Sequence, residues 1–404
     1  MKVGPLARQL AFILASTLAA VATDAKSPTT FTQLATLDPS DAAADSQFGN
    51  PSAISGDTVV VGDIGAGAVY VFVKPSTGWQ NATQIAKLTP SVSAGFFGGS
   101  VAISGRTIVV GASDANSDAG IVFVFVEPAG GWTDMTETAQ LTGTSSFGLG
   151  LSVAVSGNTI VAGSSNAGYV FEKPSTGWAD MTEVAQLSNA SAYGSGSPVA
   201  ISGNTIVVVA SGCCNEGQNY PGEADVFVKP STGWATKSIP DAALTGSDET
   251  ADDFYGITVS VSGNTVVVGA DYHHNQVGAA YVFVKPAAGW KSMTQTAELT
   301  AHDGEPNDQF GNAVSISGNI IAVGASYWDH NHTGQSGAIY TYIKPASGWR
   351  TTSRSSAELF PSASSTASYL GASVGIGSGV AMGGAPYATI NNQTYEGAVF
   401  VFGP

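Results

Sequence analysis

One stretch recurs so regularly that it decides what the chain can become. Phe310 to Trp349, FGNAVSISGNIIAVGASYWDHNHTGQSGAIYTYIKPASGW, is its clearest version. Parallel versions run from Phe48 to Trp79, Phe97 to Trp132, Phe147 to Trp178, Tyr193 to Trp234 and Tyr255 to Trp290, and a degraded seventh starts at Tyr369 and ends in GAVFVFGP. Successive copies begin about 46 to 62 residues apart, the period of propeller blades rather than of helical or leucine-rich solenoids.

Within a copy the residues read as strands. Segments such as SVAIS alternate or run apolar, a Ser-Gly-Asn or Ser-Gly-Asp turn follows, and TIVVGA is apolar and β-branched. After a variable loop, GAVYVFVKP alternates in the strand manner and ends at proline, which cannot donate to a ladder. A Gly-Trp turn leads to a fourth segment such as TQTAELT, Thr294 to Thr300. Helical periodicity is nearly absent, and glycine, 50 of 404 residues, interrupts every candidate. The reading is an all-β, seven-bladed β-propeller of four-stranded antiparallel blades. The segment Phe31 to Asp38 matches the outer-strand pattern, and the last copy stops after its third strand. The N-terminal strand is therefore expected to complete the last blade, removing an open edge.

The frame Phe-Gly, then Ser-Val-Ala, then Val-Val-Gly-Ala, then Gly-Ala-Val-Tyr-Val-Phe resembles the FG-GAP repeat, the blade unit of integrin alpha-subunit propellers and of many secreted microbial proteins. The resemblance implies adhesion or recognition of a macromolecular partner, although one fold hosts many activities. Calcium-binding members of that family carry an Asp-x-Asp-x-Asp-Gly loop between the first two strands of a blade. Here that turn is only Ser55-Gly-Asp57, Ser104-Gly-Arg106, or Ser-Gly-Asn at Ser156, Ser202, Ser262 and Ser317, so calcium sites are not carried over.

Residues 1–25 read as a secretory signal: Lys2 and Arg8, an apolar Leu10 to Val21, and a small-x-small cut at Ala20-Val-Ala22. Residues 26–404 read as a single propeller domain. The expected product is secreted, extracellular, periplasmic or at the cell surface, monomeric, and not inserted in a membrane. A net charge of −16 with 11% charged residues argues against nucleic acid as a partner. Cys213 and Cys214 are adjacent, and in an oxidising compartment they form either a strained vicinal disulfide or paired thiols.

Meander connectivity puts the uniform Ser-Gly-Asn and Lys-Pro-x-x-Gly-Trp turns on one face and nearly all sequence variety on the other. The tryptophans recurring once per blade read as blade-to-blade packing. All five histidines fall in variable loops of blades five and six: His273, His274, His302, His330 and His332. Tyr272, Tyr327, Trp328 and Asp329 lie among them, with Asp271, Asp303 and Asp308 nearby. Three readings stand: solvated surface residues; a recognition patch for a protein or glycan anchored by Tyr272, Tyr327 and Trp328; and a transition-metal site using His273, His274, His330 and His332. A weaker calcium candidate is Asp114, Asn116 and Asp118. No nucleophile, base and orienting group assemble, so no catalytic residue and no cofactor is expected. The leading expectation is an exported, non-catalytic propeller that binds a partner through its variable face. The alternatives are an exported metal-dependent hydrolase or lyase and a structural module of the cell envelope.

Overall fold

A computed structural model describes residues 31–404 apart from 42, 45, 190–196, 212–219, 330–333, 362–367 and 391–393. Each copy folds into an antiparallel meander whose first strand lies innermost. Blade 1 comprises Ser52–Ser55, Thr58–Asp63, Ala68–Val73 and Ala86–Leu88, paired in that order. Blades 2 to 6 repeat the order, and blade 7 takes Ser373–Gly377, Val380–Ala385 and Ala398–Gly403 and then Thr32–Leu37. The register Thr32↔Gly403 through Leu37↔Val399 closes the ring as the N-terminal segment predicts. Innermost strands touch in sequence around the axis, blade 7 against blade 1 included. The architecture is all-β, with a single 3-10 turn, Ala251–Asp253, and a one-turn helical segment, His273–Gln276, among the described residues.

The core is not central but divided into seams. Seven apolar clusters each draw on two consecutive blades, for instance Val69, Val71 and Leu88 of blade 1 with Phe97, Phe123 and Phe125 of blade 2. The frame phenylalanine stands edge-on to two aromatic rings of its own third strand, as Phe310 does to Tyr340 at 5.4 Å and Tyr342 at 6.2 Å. Trp132, Trp178, Trp234 and Trp349 are buried in these seams, and Trp79 and Trp290 pack half-buried against them.

The glycine after the frame residue is held at φ between 90° and 108° in blades 1, 2, 3, 5, 6 and 7, which turns its carbonyl onto the preceding blade. That carbonyl meets the glycine of the preceding blade's second strand: a Cβ on Gly384 would lie 1.7 Å from Gly49 O, and one on Gly269 would lie 2.0 Å from Gly311 O. Both glycines are thus demanded by backbone approach between neighbours. Blade 4 departs from this, with Val209 at the second-strand position and Ser211 Oγ donating to Gly256 O at 3.1 Å.

The Ser-Gly turns serve the seams too. Gly105, Gly157, Gly203, Gly263 and Gly318 donate their N–H to Ser55, Ser104, Ser156, Ser202 and Ser262 of the preceding blade, at 3.0 to 3.3 Å. Two residues after each tryptophan, the side chains of Asn81, Asp134, Asp180, Thr236, Ser292 and Thr351 accept an N–H from the preceding blade's outer strand. Short parallel pairings accompany these contacts, such as Met181–Thr182 beside Leu141–Thr142, and cover the outer edge of the blade.

Among the described residues, two copies are framed differently from the sequence reading; Tyr193, which opens the fourth copy in that reading, lies outside them. In the third, Phe147 is 62% exposed and Leu149 fills the buried frame position; in the seventh, Leu370 rather than Tyr369 does so. The slot needs apolar volume beside a glycine at positive φ, and Leu149-Gly150 and Leu370-Gly371 supply both.

Candidate functional site

Second-to-third and fourth-to-first connections share one face, and a cavity of about 450 Å³ opens there around the starts of the innermost strands. Pro51, Ser100, Leu151, Ser152, Pro198 and Ile257 line it. Leu151 and Ile257 remain exposed, as do Phe96 and Phe147 in the same connections.

In blades 2, 5, 6 and 7 the second-to-third loop is built to one plan. Its third residue after the strand is buried and its carbonyl receives the N–H of the glycine that opens the third strand: Ala115 from Gly120, His273 from Gly278, Trp328 from Gly337, Ala388 from Gly397. The loops of blades 2 and 5 are equal in length, and each follows the buried residue with three left-handed residues, Asn116, Ser117 and Asp118 or His274, Asn275 and Gln276. His273 therefore occupies a core slot that holds alanine in blades 2 and 7. Its Nδ1 lies 3.0 Å from Asp253 Oδ2, its Nε2 lies 3.9 Å from Asp248 Oδ2, and the Tyr281 hydroxyl is 3.5 Å away. His274 is exposed and stacks on it, ring centroids 3.9 Å apart. His302 belongs to another group, with Asp303 at 3.5 Å and Glu358 at 3.3 Å. His330 and His332 lie outside the described residues, as do Cys213, Cys214 and the leader segment.

Trp328 is not the exposed anchor that its loop suggests. It is 6% exposed and packs on Phe360 at 4.8 Å, because it fills the same slot as His273. Tyr272 is half-buried, with Phe254 at 4.5 Å, and Asp329 accepts the Gly334 N–H at 3.0 Å. Asp114 is exposed and accepts from Ser113, while Asn116 and Asp118 sit in the left-handed turn.

Tyr327 heads a row the sequence did not single out. It meets Tyr369 at 5.0 Å, Tyr369 meets Tyr387 at 5.0 Å, and Tyr387 meets Tyr395 at 5.8 Å. The row crosses from blade 6 to blade 7, with Tyr327 and Tyr395 exposed at its ends. The signal was in the sequence: Tyr327 and Tyr387 hold the same loop position, two residues after the second strand.

This face also carries buried acids. In blade 4, Asp225 stands where other blades place the third-strand aromatic Tyr70, Phe123, Tyr169, Tyr281 or Tyr340. It is fully buried; burial and then the nearby Glu223 push its carboxyl up to about 8, against a hydrogen bond from Asn189. Burial likewise raises Glu249 to about 8 and Asp271 and Asp308 to about 6. Among the described residues no helix is long and apolar enough to cross a membrane.

The chain is similar in fold to a computationally designed protein, Ika8, at 14% identity and a TM-score of 0.50, covering 92% of this chain and 99% of that one. It is similar also to the WD40 β-propeller domain of Doa1, at 11% identity and a TM-score of 0.55, covering 93% and 97%. No curated protein matches the sequence. A family model for the FG-GAP repeat matches residues 31–72, 82–125, 240–283 and 293–342. These stretches hold blades 1, 2, 5 and 6, whose frame residue is aromatic: Phe48, Phe97, Tyr255 and Phe310. With the same meander in the remaining blades, the protein is a seven-bladed β-propeller that contains four FG-GAP repeats.

Proposed function

We propose that the protein is an exported, non-catalytic recognition propeller that holds a protein partner on the face of the variable connections. The observation that carries this reading is the tyrosine row Tyr327, Tyr369, Tyr387 and Tyr395 on the same face as the cavity mouth. Tyrosine brings large apolar area, little rotamer entropy and a polar tip, the combination that dominates binding hot spots. The rings stand edge to face, at 60° to 89°, and so present edges and hydroxyls rather than the flat platform on which a sugar ring stacks. The opposite face has its turns committed to blade-to-blade hydrogen bonds. The charged, then apolar, then small-residue composition of residues 1–25 supports export.

Peptide-display selection on the purified protein, beside a glycan array, tests the reading. Selected peptides should bind at least about tenfold more weakly to a Tyr327→Ser/Tyr395→Ser variant, both positions being exposed, with little change in melting temperature. Peptides that bind the variant equally well, or binding of glycans alone, would overturn it.

A further inference from the structure

Blades 1, 5 and 6 share an arrangement at the loop-bearing end of the third strand. A tyrosine there, Tyr70, Tyr281 or Tyr340, is paired in register with an outer-strand residue, Lys87, Glu298 or Glu358. An aspartate from the connection entering the blade joins each pair. Tyr281 donates to Asp248 Oδ1 at 3.1 Å and Tyr340 to Asp303 Oδ1 at 2.9 Å; in blade 1 the aspartate is Asp41.

In blade 1 the arrangement is closed by a cation of the protein's own. The Lys87 ammonium pairs with Asp41 and lies 5.2 Å from the Tyr70 ring centre. Burial raises Asp41, but the Lys87 ammonium paired with it, beside the Tyr70 hydroxyl, outweighs burial and holds the carboxyl below its usual value. In blades 5 and 6 the register position carries a carboxylate instead. The positive charge is gone, a second negative charge has taken its place, and each site has gained a histidine. Two carboxylates brought together beside a buried imidazole repel unless a cation lies between them.

Blade 5 is the more completely built. One ligand atom each from Asp248, His273 and Glu298 lie within 4.8 Å of one another. The His273 side chain is 2% exposed, and Asp253 Oδ2, which also accepts the Thr250 N–H at 2.6 Å, faces its Nδ1. With the proton on Nδ1, Nε2 is the nitrogen left to act as a ligand, and it lies 3.9 Å from Asp248 Oδ2. A carboxylate behind an imidazole whose far nitrogen faces further carboxylates is the order found around protein-bound zinc. We infer that Asp248, His273 and Glu298 form a binding site for a divalent metal ion of the zinc class, the ion taking the place that the Lys87 ammonium holds in blade 1. Three protein ligands leave a fourth position open, and two carboxylates with a neutral imidazole balance a divalent charge. His302, Asp303 and Glu358 form the looser counterpart in blade 6, where the histidine side chain is 53% exposed.

The blade 1 arrangement supplies the test. The purified chain, stripped with chelator, is titrated with zinc alone and calcium alone, and its bound metal is measured by elemental analysis after dialysis. The expected result is one zinc retained by the parent chain, with affinity falling at least about tenfold in Glu298→Lys and in Glu298→Gln. Glu358→Lys should leave that zinc in place. The melting temperature of Glu298→Lys without metal should equal or exceed that of the stripped parent, because the new ammonium does what Lys87 does. Absence of zinc from the parent, equal retention in both Glu298 variants, or stoichiometric calcium in place of zinc would overturn the inference.

Discussion

The two faces of the ring are made from the same repeat and have been put to opposite uses. On one, Ser-Gly turns recur because five of them offer a serine oxygen to the next blade's glycine N–H, so the seam itself holds the sequence constant. On the other, a loop has only to bury one residue and return to the third strand, and alanine, histidine and tryptophan all meet that demand. Uniformity marks where blades need each other, and variety marks where they do not.

The sharpest way to break this contrast is to make the same substitution at two Phe-Gly pairs. Phe310→Ala removes a ring buried in the seam between blades 5 and 6 and should cost about 3 to 5 kcal/mol in urea unfolding. Phe147→Ala, despite the same pair of letters, should cost under about 0.5 kcal/mol, because its ring is in solvent.

Gly384→Ala should come next, at about 1 to 3 kcal/mol or more, since the new methyl meets the Gly49 carbonyl across the ring closure. The pH dependence of stability belongs to the variable face. Asp225 holds its proton more tightly folded than unfolded, so its contribution is complete below about pH 4 and is lost as pH rises through about 8. Asp225→Asn should flatten that alkaline limb, gaining about 1 to 3 kcal/mol on the parent between pH 5 and pH 9 in parallel denaturation curves. A parent curve flat over that interval would refute the assignment. Smallest among the seam changes, Ser104→Ala removes one turn-to-turn hydrogen bond and should cost about 1 kcal/mol by the same measurement.

The period, the tight hairpin and the completion of blade 7 were legible because each leaves a local mark: alternation, Ser-Gly-Asn, and a terminal segment that matches outer strands. What was not legible depended on register. Phe147 drew the third frame two residues early, since an aromatic before glycine is a stronger letter than Leu149, while the slot asks only for apolar volume. Trp328 looked exposed because it stands in a polar loop, yet counting from the end of the second strand puts it level with Ala115 and Ala388. The same count places His273 inside and sets it apart from His274, which sequence proximity alone could not do. The neighbours of His273 come from elsewhere in the chain, Asp253 from the connection entering the blade and Glu298 from the outer strand, and leave no mark beside it.

The pairing of Thr32–Leu37 with Ala398–Gly403 has a consequence for synthesis. A ribosome that has just produced Leu37 must polymerise over 360 further residues before the complementary strand exists, about 20 to 70 s at ordinary elongation rates. Throughout that interval the first strand is a waiting edge, and every assembled blade is part of an unfinished ring. Cooperative rigidity can arrive only once Ala398–Gly403 has been made and meets the first strand. A nascent chain of this design needs protection from pairing with its neighbours until that partner strand has left the ribosome.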